Sequence, residues 1–324
     1  MTDAGAGTGR SEAPVSRGAG GPTLMHRAEY ALLRGTIGAL GGLGWNAAAA
    51  AGSRLGLLGY SPLGIRRGVV QQQVAFALPE LDEAGVRRVS REAYSSLGRT
   101  TVETALLPSL TREQVLGLVE EVEGLDRIDR AVAGGRGAII VTGHLGNWEL
   151  GGAYLAARGY PLSVVVRRQG NPLFDAYLNR TRRSMGNEVV YDRDSVRRIP
   201  RALGENRLVA LVSDQGVLSL ASTFVPFFGR LAKTPRGPAV FALRLGVPVI
   251  FGTSIRMPDG RFKVVFDDVP VNPTGDRDAD VDRIVADYTS TLERWVRRYP
   301  GQYFWHHKRW KRQPPGAKTR TEGP

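Results

Sequence analysis

Apolar positions are scarce over residues 1–22, where Gly, Ala, Ser, Thr and Pro dominate, and that pattern predicts a disordered leader. Over residues 35–53 the chain reads GTIGALGGLGWNAAAAAGS, without a charge and rich in Gly and Ala. Its length approaches the roughly 20 residues of a membrane span. Its apolar strength is that of a helix packed on a domain or lying in a membrane interface, with a true membrane span as the alternative. Leu63–Pro79 reads as a helix closed by proline. Asp82–Leu107 reads as a longer amphipathic helix, with Val86, Val89, Ala93, Leu97, Thr101 and Ala105 at three- and four-residue spacings. Thr111 and Gln114 form a capping box for a short helix, and Glu121–Glu123 are expected to begin a sheet.

The period then changes. Ala138–Thr142 (AIIVT) is an apolar run without alternation, as expected of a strand covered on both faces. Strands are predicted at Leu162–Val166, Glu188–Tyr191 and Leu208–Ser213, separated by helices at Leu173–Met185 and Val196–Leu203. Pro238–Leu245 reads as a helix ended by Gly246. Strands Val249–Ser254 and Phe262–Phe266, joined by the turn Pro258–Arg261, should pair antiparallel. Val281, Ile284, Val285, Tyr288, Leu292, Trp295 and Val296 mark the buried face of a final long helix. Helices alternating with apolar strands imply crossover connections. The expected fold is therefore α/β: a mixed, largely parallel central sheet flanked by helices, with a helical N-terminal segment. Residues 23–312 are read as one domain, helical over 23–110 and α/β over 111–312, followed by a basic tail at 313–324.

The chemistry concentrates where the first apolar strand ends. Gly143 and Gly146 allow a tight turn, and Asn147 can cap a helix that begins at Trp148. His144 and Glu149 then flank a helix N-terminus at the carboxyl end of a strand, where open α/β sheets keep their ligand crevice and free N–H groups face anions. A neutral imidazole there can act as a base, and a carboxylate five positions on could fix its tautomer and stabilise the imidazolium. Arg167 follows a second strand, and Asp214-Gln215 a third. If the three strands are parallel neighbours, His144, Arg167 and Asp214 emerge at one edge; a plain Arg167–Asp214 ion pair is the alternative.

Composition narrows the classes. The chain has 324 residues and no cysteine, which removes disulfides, thiolate metal sites and a cysteine nucleophile. The four histidines (His26, His144, His306, His307) show no metal-binding spacing, so no metal is expected. A net charge of +13 calls for an anionic partner: nucleic acid, a membrane surface or a phosphorylated substrate. The aromatic-basic stretch Tyr303–Arg312 could stack bases, but no helix-turn-helix, RRM or zinc signature accompanies it. Its aromatics argue for an ordered segment over residues 299–312. No G-x-S-x-G elbow supports a serine hydrolase.

Five ordered stretches, GHLGNWEL, VVRRQGNPLFD, VSDQG, FVPFFGRLAKTPRGPAVFALRLGVPVI and PGQYFWHHKRWKRQP, resemble the lysophospholipid acyltransferase superfamily. The nearest likeness is to its branch of late lipid A acyltransferases (lauroyl and myristoyl transferases), with phosphatidylinositol mannoside acyltransferases close by. The likeness runs over Arg66–Pro314. It implies transfer of a fatty acyl group from acyl carrier protein or coenzyme A, without a further cofactor, to a hydroxyl of an anionic membrane glycolipid. A lipid A precursor is the first-choice acceptor; a phosphatidylinositol mannoside or another lysolipid is the second. The reaction would take place at the cytoplasmic face of the inner membrane, with the protein peripheral or singly anchored and no role for nucleic acid. The resemblance makes His144 the general base, Glu149 its acidic partner and Asp214 a third catalytic residue. Arg167, Asn147, Asn171, Gln215, Arg236 and Arg309 form the expected oxyanion- and substrate-binding set. Arg168 stands where that branch commonly has proline.

Overall fold

The computed structural model describes residues 21–216 and 221–314, so residues 1–20 of the expected leader and 315–324 of the expected tail lie outside the described residues. The strands are β1 (Val119–Glu123), β2 (Ala138–Thr142), β3 (Leu162–Val166), β4 (Glu188–Tyr191), β5 (Leu208–Val212), β6 (Ser222–Phe227), β7 (Arg230–Pro235), β8 (Val249–Arg256) and β9 (Phe262–Val269). The N-terminal helices are α1 (Leu24–Gly41), α2 (Trp45–Tyr60), α3 (Arg67–Ala77) and α4 (Glu83–Leu106). Those of the α/β part are α5 (Arg112–Gly117), α6 (Leu125–Ala133), α7 (Trp148–Ala157), α8 (Pro172–Ser184), α9 (Ser195–Gly204), α10 (Gly237–Leu245) and α11 (Arg277–Arg298).

Seven strands form the central sheet in the order β1-β9-β8-β2-β5-β3-β4. From β8 to β4 every neighbour is parallel, β9 runs antiparallel to β8, and β1 runs parallel to β9. The all-apolar sequence of β2 follows from its central place. Ile139 and Val141 enter the cluster shared with α3, α4, α10 and α11, while Ala138 and Ile140 enter the opposite one, with Tyr154 and Leu155 of α7. The α10 helix ends as the sequence predicts, with Gly246 left-handed at φ 62°.

The Gly/Ala stretch is divided between two helices. Gly44 has φ 74° and separates α1 from α2, and no helix among the described residues is long and apolar enough to cross a membrane. Its glycines serve close packing instead. A Cβ on Gly56 would collide with the backbone carbonyl of Tyr94, and one on Gly98 with that of Gly52, so α2 crosses α4 at near backbone contact. Ser53 and Ser95 share a 2.6 Å hydroxyl hydrogen bond at this crossing. The expectation of a helix packed on the domain holds here.

Two elements arise without a sequence expectation, α6 and the hairpin β6–β7, whose turn places Phe228 at φ 51° and Gly229 at φ 73°. The aromatic C-terminal segment is ordered, as expected. Tyr303, Trp305 and Trp310 are buried in the main core, and Trp310 donates its indole N–H to Phe227 O at 3.1 Å.

Candidate active site

In the sheet order β5 lies between β2 and β3, so the three polar strand ends do share one edge. The turn after β2 is clamped from three directions. Phe304 N–H donates to His144 O at 3.0 Å, Gly146 N–H to Gln302 O at 3.1 Å, and Asn147 N–H to Ser254 O at 2.8 Å. Gly146 takes φ 63°, and a Cβ there would strike the Ser254 carbonyl, so the turn needs glycine on both counts.

Asp214 is the acid that meets His144. Its Oδ1 lies 2.7 Å from His144 Nδ1, and its Oδ2 accepts the His144 backbone N–H at 2.9 Å. A carboxylate only accepts, so Nδ1 carries the proton and Nε2 keeps the free lone pair. Gln215 Nε2 lies 3.2 Å from the same Nδ1, a close neighbour of the pair rather than a donor to it. Trp148 places an edge against the imidazole, ring centroids 4.7 Å apart. The His144 side chain is 23% exposed and that of Asp214 is 2% exposed, so only the base reaches open space.

The electrostatics follow from this burial. Burial alone pushes the His144 imidazole down, but the charge and hydrogen bond of Asp214, with a smaller contribution from Glu149, raise it above the ordinary 6.5. Burial pushes Asp214 up, yet His144 and, at longer range, Arg309 hold it down to about 2.

Glu149 was expected to orient the ring; the structure gives that contact to Asp214. Glu149 instead forms a two-pronged ion pair with Arg182 of α8, one arm being Arg182 Nε to Oε2 at 3.1 Å, with both side chains largely buried. The reason is position: on the first turn of α7 its side chain lies toward α8, whereas the end of β5 lies directly beside the His144 turn.

Three of the expected substrate-binding residues are structural. Asn147 is fully buried; its Oδ1 caps α7 by accepting Leu150 N–H at 3.0 Å, and its Nδ2 donates to Glu103 Oε2 at 2.9 Å. Asn171 caps α8 through Leu173 N–H and ties it to α1 through His26 O and Glu29, at 3.0 and 2.9 Å. Arg309 is buried behind Asp214, donating to Lys233 O and, at 2.6 Å, to Thr234 Oγ1. The described residues contain no Arg167–Asp214 ion pair, because Asp214 is spent on His144.

Arg167, Gln215 and Arg236 do line the cleft that His144 faces, a space of about 1050 Å³. Arg236 is also paired, to Asp278 at 2.7 Å. The cleft continues as a mostly apolar channel between α7 and the sheet, past Ile140, Leu155, Val164, Val264 and Phe266. Gly152 and Gly252 leave room in its walls. Of the orphan N–H groups at the start of α7, Asn147 and Leu150 are satisfied by Ser254 O and the cap, which leaves those of Trp148 and Glu149 beside the base. The described residues hold no cluster of side chains suited to a metal ion.

In sequence, one family of known proteins matches nearly the whole chain. The chain belongs to the bacterial lipid A biosynthesis acyltransferase family. The family model matches residues 25–312. The lipid A biosynthesis palmitoleoyltransferase of Escherichia coli (strain K12) is 26% identical over 271 residues, covering 83% of this chain and 86% of that protein. The lauroyltransferase of the same organism is likewise 26% identical, covering 83% and 87%. A phosphatidylinositol mannoside acyltransferase of Mycobacterium tuberculosis is 30% identical over 164 residues, 49% of this chain and 51% of that one. As a family member, the chain is an acyltransferase with the α/β fold described above.

Proposed function

We propose that this acyltransferase moves a fatty acyl group from a thioester donor, acyl carrier protein or coenzyme A, to a hydroxyl of a membrane glycolipid, with a lipid A precursor as acceptor. The observation that carries the chemistry is the His144–Asp214 pair facing a mostly apolar space of about 1050 Å³, large enough to take a hydrocarbon chain. The acceptor class follows the relatives, most of which are named for lipid A and the rest for a phosphatidylinositol mannoside.

In this reading Nε2 of His144 takes the proton of the acceptor hydroxyl as its oxygen attacks the thioester carbonyl carbon. Asp214, fixed through both oxygens, holds the ring in the tautomer that leaves Nε2 free and stabilises the imidazolium that forms. The tetrahedral oxyanion is met by the N–H groups of Trp148 and Glu149 at the positive end of α7. Collapse of the intermediate breaks the C–S bond, and the departing thiolate takes the proton back from Nε2. The Glu149–Arg182 pair walls the channel, and the Glu149 charge adds to the field that favours the imidazolium. Arg167, exposed at the cleft, suits the phosphates of donor or acceptor.

The protein works at a membrane surface, and the exposed apolar residues of its N-terminal helices suit peripheral association. The cytoplasmic face of the inner membrane, the side on which a water-soluble thioester donor would be met, is the location this reading proposes. The test is an acyl-transfer assay with purified protein, comparing both thioesters and both acceptor classes, with products identified by mass spectrometry. Acylated lipid A precursor is the expected product; turnover confined to the mannoside acceptor would overturn the acceptor assignment.

A further inference from the structure

A second cavity, of about 330 Å³, lies among α1, α2 and α4, outside the catalytic cleft. Its walls are Leu33, Ile37 and Leu40 of α1, Leu55 of α2, and Leu97 and Val102 of α4, and Gly56, Gly59 and Gly98 line it where the helices approach closely. The inner wall includes His306, which is 6% exposed with neither ring nitrogen hydrogen-bonded among the described residues. Burial, with the nearby Arg66 charge, pushes that imidazole down to about 4, so the wall is uncharged at neutral pH.

Two relations give this cavity a purpose. It is close to the base: His306 stacks on Phe304 with centroids 5.1 Å apart, and Phe304 lies 5.7 Å from the His144 ring. Leu33, Leu97, Thr101 and Ala105 line both cavities, so only one layer of side chains separates them. Its rim is apolar and faces outward, since Leu55 and Ile65 are 50% and 56% exposed and Leu58 and Leu63 beside them are exposed as well. A space that opens among exposed apolar side chains is filled from a bilayer, whereas the cleft with Arg167 and Arg236 suits a donor arriving from water.

We propose that the cavity between α1, α2 and α4 is a second chain-binding site, which holds an acyl chain already present on the acceptor lipid while the donor chain occupies the channel beside α7. This deepens the acyl-transfer reading and rests on it. A lipid so held keeps one chain out of the bilayer and within one layer of side chains of the cleft, so the enzyme selects acceptors that already carry a chain.

The test is Thr36→Trp, which fills the cavity from a half-buried α1 position that lines this cavity and not the cleft. Acyl transfer is measured with a chain-bearing glycolipid in mixed micelles, with a chainless water-soluble head-group analogue, and as thioester hydrolysis without acceptor. Thr36→Trp should raise KM for the chain-bearing acceptor about tenfold, with kcat and thioester hydrolysis nearly unchanged and no effect on the chainless analogue. Thr36→Val, which adds no bulk, should behave as wild type. An unchanged KM for the chain-bearing acceptor, or an equal rise for both acceptors, overturns the proposal. Binding to phospholipid vesicles free of acceptor should stay the same; a loss there matching the KM rise assigns the cavity to bulk lipid and also overturns it. If wild type transfers to no acceptor, the parent reading fails, and the cavity is then tested by direct binding of a fluorescent-chain glycolipid. That probe should bind wild type and bind Thr36→Trp about tenfold more weakly, equal binding to the two overturning the proposal.

Discussion

Both oxygens of Asp214 meet His144, one at the ring and the other at the backbone N–H. The tautomer of the proposed base is therefore set by the same side chain that holds its backbone N–H. His144→Ala should lower acyl transfer by roughly 10²-fold or more with the fold retained, the general-base contribution at stake. Turnover within about tenfold of wild type would remove His144 from the mechanism. The pH dependence is sharper. A base must be neutral, and the His144 pKa is raised, so kcat/KM should climb with pH through a value above the ordinary 6.5. Asp214→Asn removes the charge that raises it and leaves burial to push the ring down. The acidic limb of the kcat/KM profile should then move to lower pH while the plateau falls about tenfold or more; a limb that stays put means Asp214 does not set the pKa. Asp214 also ties stability to pH. Its depressed pKa contributes stability that is in place above the ordinary 3.8 and is lost as pH falls toward about 2. Asp214 was legible from the sequence because strand ends in a parallel sheet share an edge. The choice between Asp214 and Glu149 was not, since it turns on Arg182, which lies 33 residues beyond Glu149 in the sequence. Arg309 misled for a related reason: a cation in a basic run reads as exposed, and only the folded chain shows it buried against β7 and stacked over Phe227.

At the scale of elements, the site turn is held by a helix from the other part of the chain. Glu103 of α4 accepts from Arg256 Nε of β8 at 2.8 Å and from Asn147 Nδ2 at 2.9 Å, and Arg256 also reaches Thr100 Oγ1 at 3.2 Å. The two charged side chains are 1% and 5% exposed. Thr100 Oγ1 in turn donates to Gly146 O at 3.1 Å, so α4 grips the turn at two points. Glu103→Leu or Arg256→Met leaves an uncompensated buried charge and should cost about 3–5 kcal/mol in denaturant unfolding. Glu103→Leu combined with Arg256→Met removes both charges and should lose less than either single change. Additive losses would show that the pair contributes as two independent residues. The periodic elements were readable because burial imposes their pattern, as in β2 and α11. The β6–β7 hairpin was not, since Phe-Gly is an unusual pair for its tight turn and Pro226 interrupts the strand pattern. The break between α1 and α2 was hidden for a different reason: in a Gly-rich run, the glycine at a left-handed corner looks like those that let helices approach.

Taken whole, the molecule carries a net charge of +13, and most of its exposed large apolar side chains lie on the N-terminal helices and their connections. Leu55, Leu58, Leu63 and Ile65 protrude together near Arg54, Arg66 and Arg67, which are exposed as well. Apolar side chains ringed by cations suit an anionic leaflet, where each cation near the surface is worth about 1 kcal/mol and each apolar side chain adds its transfer from water. The two contributions respond differently to salt. At about 1 M salt the Debye length falls to roughly 3 Å, which removes the charge attraction and leaves the apolar part. Vesicle co-sedimentation should therefore show strong binding to anionic vesicles at low salt and weaker but measurable binding at high salt. Leu58→Glu with Leu63→Glu lies outside both cavities, and it should lower binding at both salt concentrations by about tenfold or more with thermal stability unchanged. Binding that vanishes completely in high salt would assign membrane association to charge alone. Binding by the double variant within about twofold of wild type would move the docking face away from α2 and the connection to α3.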